Sequence, residues 1–135
     1  MKSTMKIAAV VMMALMLVVS AFAKENETVR IEKAQKGYVQ ALKSDVIGLR
    51  NNTLLQIVKL KSSYTNANLN EVSGLLKKMA NNDSEMVLRT NAHMTLMIVE
   101  NPHMANWINP YEYENPNDFF DKFYLKMAES QVAMQ

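Results

Sequence analysis

The sequence predicts an all-α protein built from helix pairs, and three observations carry that expectation. Residues 26–100 contain the chain's three glycines, Gly37, Gly48 and Gly74, and no proline, so strong helix breakers are nearly absent over that span. Apolar residues recur there at i, i+3, i+4 and i+7 in four successive segments, which is the period of one helix face. Finally, SDVIGLRNNTLLQIVKLK (44–61) lies over DSEMVLRTNAHMTLMIVE (83–100) at a constant offset of 39 residues, as a duplicated helical unit would.

The chain opens MKSTMKIAAVVMMALMLVVSAFA. Lys2 and Lys6 form a positive start, 7–19 is an unbroken apolar run of 13 residues, and Ala21-Phe22-Ala23 is a small-residue cleavage pattern. That is the build of a secretory signal peptide over 1–23, and the run is short for a permanent membrane helix. No cysteine follows it, which removes a lipoprotein anchor. The expectation is a bacterial protein exported to the periplasm or secreted, with a soluble mature chain beginning near Lys24 and no membrane attachment after processing. The mature part, 24–135, is long enough for one domain with one core. Having no cysteine, that domain must be held by packing alone.

Charge excludes some partners. Removing Lys2 and Lys6 from the 15 Lys and Arg leaves 13, equal to the 13 Asp and Glu. A neutral mature chain has no electrostatic footprint for nucleic acid or an anionic membrane.

Taken in order, the first helix is predicted over 26–43, with Val29, Ile31, Ala34, Tyr38, Ala41 and Leu42 as its apolar positions. Ser44-Asp45 offers an N-cap for a second helix over 46–62. After the polar link YTNANLN, Asn68 and Glu71 stand in capping-box relation before a third helix ending near residue 80. Asn82 and Glu85 repeat that spacing before a fourth, ending at 100. Within the duplicated unit Leu49-Arg50 falls on Leu88-Arg89, Leu55 on Met94 and Val58 on Met97, and a shorter helix precedes each copy. On these residues the sequence resembles HEAT-like α-helical repeat proteins, in which an acidic residue and then Leu/Val-Arg open the second helix of each pair. The resemblance covers roughly residues 36–100 and implies a short α-solenoid of HEAT-like helix pairs with a binding or scaffolding role.

The rest of the chain differs in character. Pro102, Pro110 and Pro116 each follow an asparagine, so 101–117 is expected to be an irregular connection of turns and extended chain. NDFFDKFYLKMAES then predicts a last helix over 118–131, with Phe119, Phe123 and Met127 in one row and Phe120 and Tyr124 beside it. Seven of the nine aromatics beyond the leader lie between Trp107 and Tyr124. Their core spacing favours a helix that folds back and caps the stack over an aromatic patch for a partner.

A wheel of the fourth helix at about 100° per residue places Leu88, Ala92, Thr95, Leu96 and Val99 on the core side, with Val87, Asn91, Met94 and Ile98 widening the stripe. Met86, His93 and Met97 fall on the far side, flanked by Arg89 and Glu100. Thioether and imidazole together suit a soft monovalent ion such as Cu(I) or Ag(I), and His103 and Met104 follow just past the helix end. The corresponding row of the first copy, Ile47, Leu54 and Val58, is wholly apolar, which favours burial against a neighbour over ion binding.

Enzymatic chemistry finds no foothold. There is no cysteine nucleophile, no phosphate loop and no metal-ligand spacing around His93 and Glu100. The expectation is a non-enzymatic exported module, without a cofactor, that binds a protein partner. Its expected surface is the outer side of the second helices: Arg50, Lys61, Met86, Arg89, His93, Met97 and Glu100. A periplasmic soft-metal binder using Met86, His93 and Met97 is the alternative. With so few repeats, an uncovered helix face would also suit self-association.

Overall fold

The computed structural model describes residues 27–133, and the expected signal segment at 1–23 lies outside them. Among the described residues every regular element is helical and no strand occurs. Five α-helices follow one another: α1 (Glu27–Leu42), α2 (Ile47–Ser63), α3 (Asn70–Asn82), α4 (Met86–Glu100) and α5 (Pro116–Ala133). Two short 3-10 segments, Pro102–Asn106 and Pro110–Glu112, separate α4 from α5. No helix is long and apolar enough to cross a membrane among the described residues.

The described residues divide into two units at the boundary between Ala34 and Gln35. The described part of the first is the opening half of α1, where Val29 is 41% exposed and Ile31 and Ala34 are half-buried. The second unit begins within α1 at Gln35 and contains everything that follows.

Helix starts share one device, and it is not the expected capping box. Val46, Leu69 and Glu85, which precede α2, α3 and α4, make no side-chain cap bond. Instead a polar side chain accepts from the amide two residues ahead: Ser44 Oγ from Val46 N, Asn68 Oδ1 from Asn70 N and Asp83 Oδ1 from Glu85 N, at 3.0–3.1 Å. Asn109 does the same for Tyr111 N at 3.1 Å. Asn115 takes Asn117 N at 2.9 Å and Asp118 N at 3.4 Å. The first-turn amides have no carbonyl four residues back, so such acceptors satisfy them. Asn82, expected to open α4, is the last residue of α3, and Asp83 serves α4 in its place.

The prolines explain the second difference from expectation. Pro102 and Pro110 each open a 3-10 segment, and Pro116 is the first residue of α5. Their fixed φ suits the first helical position, where no N–H is needed. Each Asn-Pro step therefore starts a helical turn in a stretch expected to be turns and extended chain.

Within the second unit α2 is the central element. It packs against α4, both 3-10 segments and α5, and Leu54, Leu55, Ile57 and Val58 are wholly buried. A helix buried over so wide an arc needs partners on more than one side. α3 lies against α4 and contributes Val72, Leu76 and Met79 to the core. α4 contributes Leu88, Ala92, Met94, Thr95, Ile98 and Val99, with Met94 in the packing role its position predicts. Val87, placed in the core stripe by the wheel, is 54% exposed, and Leu96 is half-buried. The aromatic tail is core: Phe119, Phe120 and Phe123 on α5 are at most 1% exposed. Trp107 stacks on Phe123 at 5.6 Å, and Tyr113 meets Phe119 edge-on at 5.7 Å. Tyr111 fastens the second 3-10 segment to the end of α2, donating to the Lys59 carbonyl at 2.9 Å and sharing a hydrogen bond with Ser63 Oγ.

Candidate partner-binding site

The seven surface residues named from the sequence do not form one surface. Lys61 is 6% exposed, and its Nζ donates to the Ala67 carbonyl at 2.7 Å. Its expected place on the outer side is therefore corrected. The helix wheel fixes an angle, but it does not show that the chain after α2 folds over this side chain. Glu100 pairs with Lys77 at 3.8 Å, and both line the cavity that Lys61 also lines.

Arg50 and Arg89 are half-buried and committed to structure. Arg50 Nη1 donates to the Ser44 carbonyl at 2.9 Å, and Arg89 Nη1 donates to the Asp83 carbonyl at 2.6 Å. Both bonds span six residues, at positions that superpose under the 39-residue offset. Arg50 also reaches the second copy, placing Nη2 3.3 Å from Asp83 Oδ1. The polar tie between copies extends to three asparagines. Asn91 Nδ2, in a buried residue, donates to Asn51 Oδ1 at 2.9 Å and to Asn117 Oδ1 at 3.2 Å, and Asn51 Nδ2 donates to Asn117 Oδ1 at 2.9 Å.

The methionine–histidine row is spread over two environments. Met86 is 70% exposed, His93 is exposed and Met97 is half-buried. Of their counterparts, Ile47 is 49% exposed, as Met86 is exposed, whereas Leu54 and Val58 are fully buried, so the two copies differ at the second and third positions of the row. Met86 lines a groove between α4 and α5, whereas His93 and Met97 are not among its walls. Among the described residues no group of three or more His, Asp or Glu side chains is placed to hold a metal ion.

That groove gathers exposed apolar residues of α4 and α5. It has a volume of about 440 Å³, with Met86, Val87, Thr90 and Met94 on one wall and Phe120, Asp121, Tyr124 and Leu125 on the other. Met94 and Phe120 form its buried floor, while Val87, Tyr124 and Leu125 are each more than half exposed at its rim. Asp121 is the one charged residue lining it. The row Met86, Thr90, Met94 has i, i+4, i+8 spacing and runs about 12 Å along α4. Of the groove residues, the binding surface expected from the sequence includes Met86 alone, while Val87, Asn91, Met94, Phe120 and Tyr124 were expected to pack. A signal for the other wall was present in FFDKFYL, because Leu125 lies on the helix side away from Phe119 and Phe123.

Comparison with family models, curated proteins and solved structures gave no match.

Proposed function

We propose that this protein is a non-enzymatic exported interaction module, and that the α4/α5 groove receives an amphipathic helix of a protein partner. One observation carries the proposal: Met86, Val87, Tyr124 and Leu125, all large and apolar, are each more than half exposed around a single groove. Leaving such a patch in water forfeits roughly 25 cal/mol per Å² of apolar area, and contiguous exposed apolar patches mark interaction sites. Two flanking helices and about two turns of α4 fit the helix-in-groove mode, in which a partner supplies anchors at i and i+4. Asp121 favours a basic residue beside those anchors. Export rests on the segment 1–23 and a HEAT-like arrangement on the 39-residue offset repeat alone. In that arrangement α5 closes the stack.

The test is a backbone-amide chemical-shift titration of residues 24–135 with a helical peptide bearing Leu and Phe at i and i+4 and one Lys. Saturable shifts at Val87, Thr90 and Leu125, lost in Val87→Glu with an unchanged melting temperature, support the reading. Absence of shifts, or shifts centred elsewhere, refutes it. Retention of one Ag(I) ion in native mass spectrometry, lost in His93→Ala, would replace it with the soft-metal reading of Met86, His93 and Met97.

A further inference from the structure

A second cavity, of about 500 Å³, lies where the C-terminal ends of α2 and α4 meet the first turns of α3. Lys61, Lys77 and Glu100 line it, together with Asn68 and Ser73. Lys61 sets its chemistry. An ammonium has three donors, and this one has a single protein acceptor, the neutral carbonyl of Ala67. The ion pairs among the described residues are Arg50–Asp83, Lys77–Glu100 and Lys126–Glu129, so no carboxylate of the described residues lies within 4.0 Å of Lys61. A buried cation without a counter-charge is strongly disfavoured, and burial here lowers the pKa of Lys61 from its ordinary value of 10.5.

The walls carry two ammonium groups against one carboxylate. Glu100 is 3.8 Å from Lys77, with both side chains about half exposed, an arrangement that contributes little fixed geometry. The cavity therefore has one uncompensated positive charge at its buried side. Its volume falls within the range of small-molecule sites, and Ser73 and Asn68 add polar groups able to orient a ligand.

We propose that this cavity binds a small monocarboxylate, whose carboxylate group accepts from Lys61 Nζ and from Lys77. A single negative charge balances the site, whereas a phosphate dianion would exceed it. Carboxylate–ammonium hydrogen bonds are among the stronger polar contacts, and the low dielectric around Lys61 strengthens them further.

The experiment follows the lysine ε-carbon and backbone-amide signals of residues 24–135 during separate titrations with propionate and inorganic phosphate. Propionate is expected to shift Lys61 and Ser73 saturably in the millimolar range. In Lys61→Met, which keeps the apolar stem, the affinity is expected to fall about tenfold or more, equivalent to about 1.4 kcal/mol. Lys77→Met is expected to weaken binding by a smaller factor. Should Lys61→Met fail to fold, the Lys61 ε-carbon response of the unaltered protein decides the matter. A linear, non-saturating response, or one that persists unchanged in Lys61→Met, overturns the site. Preference for phosphate over propionate overturns the carboxylate assignment.

Discussion

Arg50 Nη2 stands 3.3 Å from Asp83 Oδ1, with the two side chains only 13% and 8% exposed, and this pair joins the starts of α2 and α4. The same carboxylate oxygen accepts the Glu85 amide. Removing one partner of a buried pair leaves an uncompensated charge, at a cost of about 3–5 kcal/mol. Arg50→Met and Asp83→Leu should each lower the unfolding free energy obtained from urea titration by an amount in that range. The double variant should be less destabilised than the sum, by about 1 kcal/mol or more. Additive losses would show that the pair is spectator geometry.

Asn91 should matter more than either asparagine it binds. It is buried and donates to both Asn51 and Asn117, so Asn91→Ala removes the donor to Asn51 Oδ1 and leaves Asn117 Oδ1 with the Asn51 amide alone. A loss of about 1–3 kcal/mol is expected. Asn117 is exposed and water replaces its partners, so Asn117→Ala should cost less. Urea unfolding of the two variants checks the order.

Two groups give the protein a distinctive alkaline profile. Burial lowers the pKa of Lys61 below 10.5. Between that lowered value and 10.5 the unfolded chain holds a proton the folded chain has released, so stability rises with pH through this window. Burial first, and the charge of Tyr111 second, raise the pKa of Tyr38 above 10.0. There the folded chain keeps a proton the unfolded chain has lost, so stability falls as pH climbs past 10.0. Lys61→Met should flatten the rise, and Tyr38→Phe should remove part of the fall. Urea midpoints measured across roughly pH 8 to 11 separate the two.

The last helix should divide sharply by residue. Phe120 is completely buried, and Phe120→Ala should cost about 3–5 kcal/mol. Leu125 is 56% exposed on the groove rim, and Leu125→Ala should stay within about 0.5 kcal/mol. Equal losses at the two positions would make the rim part of the core.

The helices were legible because their signals are local. Proline is absent where α1 to α4 run, and the periodicity of α2 and α4 survives the 39-residue offset. The burial of Phe119 and Phe123 was legible for the same reason. The surface was not, because exposure depends on neighbours distant in sequence. Leu54 and His93 align, yet Leu54 is wholly buried and His93 is exposed, and the second 3-10 segment packs against α2 more than against α4. Lys61 aligns with Glu100, but no spacing rule says that the Ala67 carbonyl comes within reach of its ammonium. The groove was hidden because it joins α4 to a helix about thirty residues later, and Met86 looks the same whether it faces a wall or solvent.

The aromatic wedge on α5 also bears on the order in which the protein can be made. Phe119, Phe120 and Phe123 complete a core whose central helix ends at Ser63. A chain emerging from the ribosome displays the apolar faces of α2 and α4 well before the residues that seal them have been synthesised. Closing the segment between Leu54 and Phe120 carries an entropic penalty that grows only slowly with its length, so the arrival of the last helix sets when the core can be sealed. Until then the nascent polypeptide is a string of unsealed helices with exposed apolar faces, suited to capture by a chaperone. A nonsense codon ahead of Phe119 would remove the seal itself, and its product would be cleared as a misfolded chain.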